Sequence, residues 1–142
     1  MTIAAILNGK PPEVVVIGPD ATVADAVALL SERKIGAVPV MDGDMVVGVF
    51  SERDVIHALA RSGSAAMDQP VREEMTAPAV IVSPSDSVLG ALSLMTRRRM
   101  RHLPVLDGGA LVGFVSIGDL VKYRIDRIEA DASAMRDYIQ SA

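Results

Sequence analysis

Apolar residues follow two periodicities along the chain, and each periodicity occurs twice. Short runs rich in β-branched residues, Val14 to Ile17 and Ala79 to Val82, are closed by Pro19 and Pro84 and predict strands. After each run, apolar residues recur at i, i+3, i+4 and i+7, which predicts a helix with one buried face. The helical positions are Val23, Ala26, Val27 and Leu30 in the first half, and Val88, Ala91, Leu92 and Met95 in the second.

Thr22 and Ser87 precede these helices and are suitable N-caps. Each helix is followed by a proline-containing strand, an Asp-Gly turn and a second strand, which together predict a hairpin. The paired strands are Ala37 to Met41 with Met45 to Phe50, and His102 to Leu106 with Leu111 to Val115. A further helix is predicted to start at Ser51 and at Ser116, so the order β-α-β-β-α occurs twice.

The two halves are copies of one unit. A shift of 65 residues aligns Pro19 to Val55 with Pro84 to Leu120 without a gap, and 13 of the 37 pairs are identical. We predict an α+β fold with a first unit and its lead-in at 1–62, a linker at 63–70, a second unit at 71–124 and a helical extension at 125–142. A unit of this size is marginal alone, so the units are expected to pack about a pseudo-twofold axis with clefts between them.

Composition narrows the class of protein. The 142 residues carry a net charge of -4 and no cysteine, which gives no general attraction to nucleic acid and fits a reducing compartment, with the cytoplasm as the default. The amino terminus lacks the features of a signal peptide, and no apolar stretch approaches the roughly 20 residues of a membrane span. No catalytic constellation, metal site, P-loop or G-x-G-x-x-G motif is visible, so an enzyme is not expected.

Two related stretches, GVFSERD at Gly48 to Asp54 and GFVSIGD at Gly113 to Asp119, admit two interpretations. In the first, Ser51 and Ser116 cap helices, and the aspartate three residues later completes a capping box. In the second, the helix start binds a phosphate while Asp54 or Asp119 accepts hydrogen bonds from a ribose diol. The two interpretations are compatible. Each glycine marks either close approach of a ligand or a bulge.

The proline-containing strands also have two interpretations. Pro39 and Pro104 cannot donate to a ladder, so each strand is either a plain edge or an edge whose unpaired backbone groups bind an adenine base. In the second case the apolar walls would come from Val38, Val40, Leu103 and Val105.

Positive charge is concentrated near the start of the second proline-containing strand. Arginines 97 to 99 end a helix, where the dipole favours cations without any ligand. Arg101 and His102 replace Gly36 and Ala37 of the first unit and are candidates for binding phosphate. Arg53 is a second candidate beside Asp54, so one cleft is expected to carry its cation on the helix and the other on the strand.

The duplicated P-V-x-D-G followed by G-h-x-S-x-x-D, where h is apolar, resembles a tandem pair of CBS domains, named after cystathionine β-synthase, over about residues 12 to 124. VREEMT at Val71 to Thr76 is also similar to that family. The resemblance implies a module that senses AMP, ADP, ATP, NAD(H) or S-adenosylmethionine without any required cofactor. It implies ribose binding by Asp54 and Asp119, and places Ser51 and Ser116 near the phosphate.

Arg101 and His102 are similar in position to the basic pair of AMP-activated kinase gamma subunits, in the opposite order. We therefore expect a non-catalytic regulatory module with two potential nucleotide sites, AMP being the first choice and NAD(H) the next. The alternative is a protein-interaction scaffold with vestigial clefts. A homodimer and an effector protein encoded elsewhere are the expected partners, and the apolar residues of the tail are expected to cover a groove or join the dimer; these are Ile125, Ile128, Ala132, Met135 and Ile139.

Overall fold

The duplicated sequence folds into two antiparallel hairpins with the same register. In the computed structural model, which describes residues 1–141, Ala37 pairs with Ser51 and the equivalent His102 pairs with Ser116. The predicted α+β fold with two similar units is confirmed. The helices are α1 (Ile3–Asn8), α2 (Val23–Arg33), α3 (Glu52–Ser62), α4 (Val71–Glu74), α5 (Val88–Arg98) and α6 (Ile117–Ser141), and the strands are β1 (Ala37–Asp42), β2 (Met45–Ser51), β3 (His102–Asp107) and β4 (Ala110–Ser116).

Local sequence explains where these elements begin and turn. Thr22 Oγ1 accepts from the Asp25 amide at the start of α2, and Ser87 Oγ accepts from the Gly90 amide at the start of α5. Gly43 has φ +59, the left-handed conformation that a tight hairpin turn favours. Both caps lie at the predicted residues.

The first predicted strand of each unit is reduced to a single bridge. Ile17 pairs in parallel with Val40, and Val82 pairs in the same way with Val105. The extended strands predicted for 14–17 and 79–82 are therefore not formed. The bridge also corrects the plain-edge interpretation of β1, because the Pro39 carbonyl accepts from the Ile17 amide at 3.2 Å.

The segment that precedes each unit, which we call its lead-in, packs against the other unit. Ile3 and Ile6 of α1 are buried in the core of the second unit, against β3, β4 and α5. Val71 of α4 is fully buried in the core of the first unit, and Thr76 pairs with Val49 of β2 through two backbone hydrogen bonds of 2.9 and 3.0 Å. This reciprocal exchange is the packing expected of a pseudo-twofold arrangement.

The glycine of each second strand makes room for this exchange. A Cβ on Gly48 would lie 2.7 Å from Met75 Sδ and 2.8 Å from the Thr76 carbonyl oxygen, and a Cβ on Gly113 would lie 2.4 Å from Leu7 Cδ2. Gly48 also adjoins a change in register between Val40 and Met41, as the bulge interpretation expected. The close approach is made by the exchanged chain.

The segments outside the repeats are helical. Part of the expected linker is a 3-10 helix over Gly63–Asp68, in which Ala66 is fully buried. The C-terminal helix expected for the extension at 125–142 is confirmed, and it continues α6, which runs without a break from Ile117 to Ser141. Its last predicted residue, Ala142, lies outside the described range. No helix within residues 1–141 combines the length and apolarity needed to cross a membrane.

Replacing Gly48 by alanine tests the exchange. Because the new Cβ would meet the backbone of Thr76, we expect Gly48→Ala to lower the free energy of unfolding by about 1–3 kcal/mol, measured by urea denaturation. Gly18→Ala is the control, since no atom lies within 4 Å of a Cβ built there. Equal stability of the two variants would contradict the close approach.

Candidate functional site

Two cavities lie between the units. Each is lined by the start of a helix from one unit and by the residues at the beginning of the hairpin of the other unit. The first cleft, of about 530 Å³, contains Ser51 and Asp54 at the start of α3 together with Arg101 and His102 at the start of β3. The second cleft, of about 390 Å³, contains Ser116 and Asp119 at the start of α6 together with Lys34 to Ala37, which lead into β1. Both volumes are within the range of small-molecule sites.

This crossed arrangement brings together residues that were expected in different sites. Arg53, on the helix, and Arg101, on the strand, both line the first cleft. The prediction of one cation source per cleft is therefore wrong, because the strand of the second unit faces the helix of the first. His102 lines both clefts and lies between them, next to Gly36.

Formal charge distinguishes the two clefts. The first is lined by four arginines (53, 98, 99 and 101) and by two carboxylates, Glu52 and Asp54. The second is lined by Lys10 and Lys34 and by Glu13 and Asp119, so its charges balance. An anion is therefore attracted to the first cleft more strongly than to the second.

Asp54 completes a capping box and also faces the first cleft. Its Oδ2 accepts from the Ser51 amide at 2.9 Å, and its own amide donates to Ser51 Oγ at 3.4 Å. Oδ1 accepts from Thr76 Oγ1 at 3.0 Å. Within residues 1–141 Asp54 is the only buried charged residue, with 8% of its surface exposed. The capping interpretation holds; Oδ2 also accepts from Ser51 Oγ at 3.1 Å, so the remaining acceptor capacity lies on Oδ1.

Asp119 forms the matching capping box but has a different partner. Its Oδ2 accepts from the Ser116 amide at 2.9 Å and from Lys10 Nζ at 2.6 Å. Lys10 also donates to the Phe114 carbonyl at 3.0 Å, which fixes the ammonium inside the second cleft. Lys10 thus engages Oδ2 of the aspartate that the sequence predicted to bind a ribose.

The pKa of Asp119 reflects this ion pair. Burial raises the pKa, but hydrogen bonds and charge from Lys10, with further hydrogen bonds from Ser116, outweigh burial and hold the pKa below its ordinary value. Since the folded pKa is depressed, the associated stability is present at neutral pH and is lost as the pH falls through that pKa.

His102 is held neutral at the boundary between the clefts. Its ring stacks on Phe114, with centroids 5.5 Å apart and an angle of 15° between the planes. Burial lowers the pKa of His102, and the opposing charges of Asp119 and Glu52 do not restore it. The imidazole is therefore neutral at physiological pH and is able to accept as well as donate a hydrogen bond.

The residues expected to form an adenine pocket lie in the two cores. Both prolines are buried, and Val38, Val40, Leu103 and Val105 are fully buried, so none of these six side chains lines either cleft. The prediction of apolar walls from them is wrong, because both faces of each strand are covered by packed elements. The clefts take their apolar walls from other residues, which are Val49, Ile56 and Val80 in the first and Leu7, Val15 and Val112 in the second.

Three residues of the site were missed from the sequence. Lys10 and Lys34 belong to no motif, and Thr76 was noted only as the end of VREEMT. The exchange of lead-ins brings Lys10 and Thr76 into the clefts, whereas Lys34 enters from the end of α2. Lys34 and its counterpart Arg99 share a left-handed conformation with φ 54 at the end of a helix. The 65-residue shift aligns Lys34 with Arg99, so the repeat could have predicted that these two residues lie at equivalent positions.

Removing the lysine from the ion pair should raise the pKa of Asp119. We expect Lys10→Met to shift the carboxylate titration upward, because burial then acts without its compensating partner. The measurement is carbon-detected NMR of the aspartate carboxylates. Lys34→Met is the control, since Lys34 lines the same cleft without a hydrogen bond to Asp119. A pKa unchanged in Lys10→Met would contradict the pairing.

Comparison with known proteins identifies the repeated unit. The model of the CBS domain matches residues 11–61 and 71–126. A crystal structure of a CBS-domain containing protein from Agrobacterium tumefaciens is 40% identical, with a TM-score of 0.83, over 87% of this chain and 92% of that chain. The crystal structure of CBSX2 in complex with AMP is 29% identical, with a TM-score of 0.75, over 88% of this chain and 96% of that chain.

One relative of known family is longer than this chain. The mitochondrial CBS domain-containing protein CBSX3 of Arabidopsis thaliana is 32% identical over 126 residues, which are 85% of this chain and 61% of that protein. This chain therefore spans less than two thirds of that relative.

Proposed function

This chain belongs to the CBS domain family, and we propose that it is a non-catalytic regulatory module that binds an adenine nucleotide in its first cleft. One observation carries the proposal: the carboxylate of Asp54 stands at a helix start in a cavity that also contains four arginines. A carboxylate acceptor suits a ribose diol, and the arginines suit a phosphate. The AMP complex of CBSX2 supports this choice of ligand.

The phosphate is assigned to the side of the cleft where the two units meet. Arg53 donates from Nη1 to the Arg99 carbonyl at 3.0 Å, which draws its guanidinium toward the chain preceding β3. Arg101 and His102 follow on that chain, and Ser51 lies at the start of α3. Together the two arginines, His102 and the Ser51 hydroxyl provide cationic and neutral donors for one phosphate.

The base is assigned to the apolar part of the same cleft. Val80 belongs to the lead-in of the second unit, and Ile56 lies on α3 with 65% of its surface exposed. Burying these side chains against a purine removes apolar surface from water. AMP is the preferred ligand, followed by NAD(H), then ADP or ATP, with S-adenosylmethionine as a further adenine compound. We expect the protein to be located in the cytoplasm and to regulate an effector protein encoded elsewhere.

The second cleft favours the alternative function of a scaffold. Lys10 already neutralises Asp119, and the charges around them balance. If the first cleft behaved in the same way, both sites would be vestigial and the chain would act as an interaction module. In the proposal, Ser116 and Asp119 form a weaker site that requires displacement of Lys10.

Loss of the Asp54 charge should remove nucleotide binding. We expect AMP to bind the wild type and to bind Asp54→Asn at least about 100-fold more weakly, measured by isothermal titration calorimetry, because the ribose loses its charged acceptor. Binding of 2′-deoxy-AMP to the wild type should weaken for the same reason.

The matched control is Asp25→Asn, since Asp25 completes the capping box of α2 with Thr22 Oγ1 and lies away from both clefts. Both variants should lose up to about 1 kcal/mol of stability, and only Asp54→Asn should lose binding. Unchanged AMP affinity in Asp54→Asn, or no heat with any of the adenine ligands at millimolar concentration, would overturn the sensor function and favour the scaffold.

Stoichiometry tests the difference between the clefts. We expect one AMP per chain for the wild type and a second, weaker site in Lys10→Ala, because the substitution frees Asp119 Oδ2. Lys34→Ala is the control and should keep one site. Two equal sites in the wild type would contradict the inhibitory role of Lys10.

A further inference from the structure

The carboxyl-terminal half of α6 presents apolar side chains that no other part of residues 1–141 covers. All residues from Ile125 to Ser141 are exposed, including Ile128 at 53% and Ile139 at 65%. α6 has 25 residues, whereas the equivalent helix α3 has 11 and ends at Ser62 before Gly63. The extra turns therefore project beyond the fold of the repeated unit.

These apolar residues lie at the spacing of a two-stranded coiled coil. Counted from Val121, they follow at intervals of 4, 3, 4, 3 and 4 residues, which is the a/d pattern of a heptad repeat. From the first to the last of these positions the seam is about 27 Å long. The seam consists of Val121, Ile125, Ile128, Ala132, Met135 and Ile139.

We propose that two copies of this chain pair through the seam as a parallel, in-register coiled coil. The charged residues beside the seam favour a second copy of this chain as the partner and a parallel alignment of the two helices. With Ile125, Ala132 and Ile139 at a positions, the g residues are Arg124 and Asp131, and the following e residues are Glu129 and Arg136.

In a parallel pair, each g residue faces the e residue five positions later in the partner helix. Arg124 then faces Glu129 of the other copy, and Asp131 faces Arg136. Twofold symmetry doubles both contacts, so all four are attractive.

An antiparallel pair centred on the same seam brings like charges together. Residues of the same heptad position then face each other, so Glu129 opposes Glu129 and Lys122 opposes Arg136. Charge complementarity thus favours the parallel alignment. The seam is slightly shorter than three heptads, so the pairing is reversible and depends on concentration. This surface supplies an interface for the homodimer expected from the sequence, and it does not depend on nucleotide binding.

Sedimentation equilibrium on the full chain tests the pairing. We expect a monomer–dimer equilibrium whose dissociation constant rises by about 100-fold in Ile128→Asp, because two buried isoleucines are lost and two carboxylates face each other. Met45→Asp is the control, since Met45 is 69% exposed on a hairpin far from α6 along the chain. A wild type that stays monomeric at millimolar concentration, or a dimer unaffected by Ile128→Asp, would overturn the proposal.

Cysteine cross-linking tests the direction in the same protein. The chain contains no cysteine, so a single Met135→Cys should form a disulfide-linked dimer on mild oxidation only if the helices are parallel and in register. Ser133→Cys is the control, because position 133 points away from the seam and should remain unlinked. Failure of Met135→Cys to cross-link, or cross-linking only in a mixture of Val121→Cys and Ile139→Cys chains, would contradict the parallel pairing.

Discussion

The exchange of lead-in segments between the halves is the packing constraint on which the rest of the structure depends. Ile3 and Ile6 of α1 complete the core of the second unit, and Val71 of α4 completes the core of the first. Each half is too small to bury its apolar face alone, so the exchange ties the stability of each to the other. The same exchange carries Thr76 and Lys10 into the clefts, which makes the site a product of the core packing.

The duplication gives two clefts with the same framework, but substitutions have made them chemically different. Ser51 with Asp54 and Ser116 with Asp119 form similar capping boxes. What differs is the partner of each aspartate: Asp54 accepts from the neutral Thr76 hydroxyl, whereas Asp119 is paired with the Lys10 ammonium. The arginines of the first cleft and the Lys10 ion pair of the second together separate an anion-attracting cleft from a self-paired one.

Local features of this protein were predictable from sequence because each depends on neighbouring residues. Thr22 and Ser51 cap helices through amides three residues away, and the 65-residue shift reproduces the register of both hairpins. Features created by contacts between distant segments were not predictable in this way. Val38 and Leu103 were expected to face a ligand on an edge strand, but bridges from Ile17 and Val82 and the packed helices bury them. The ion pair of Lys10 with Asp119 joins residues 109 positions apart, and no local sequence motif predicts it.

A crystal structure of the chain with AMP tests the central claim most directly. The account predicts one nucleotide in the first cleft, with both ribose hydroxyls within hydrogen-bond distance of the Asp54 carboxylate and the phosphate near Arg53 and Arg101. It predicts that Lys10 remains paired with Asp119 in the other cleft. A nucleotide bound only at Asp119, or a ribose that makes no contact with Asp54, would contradict the account.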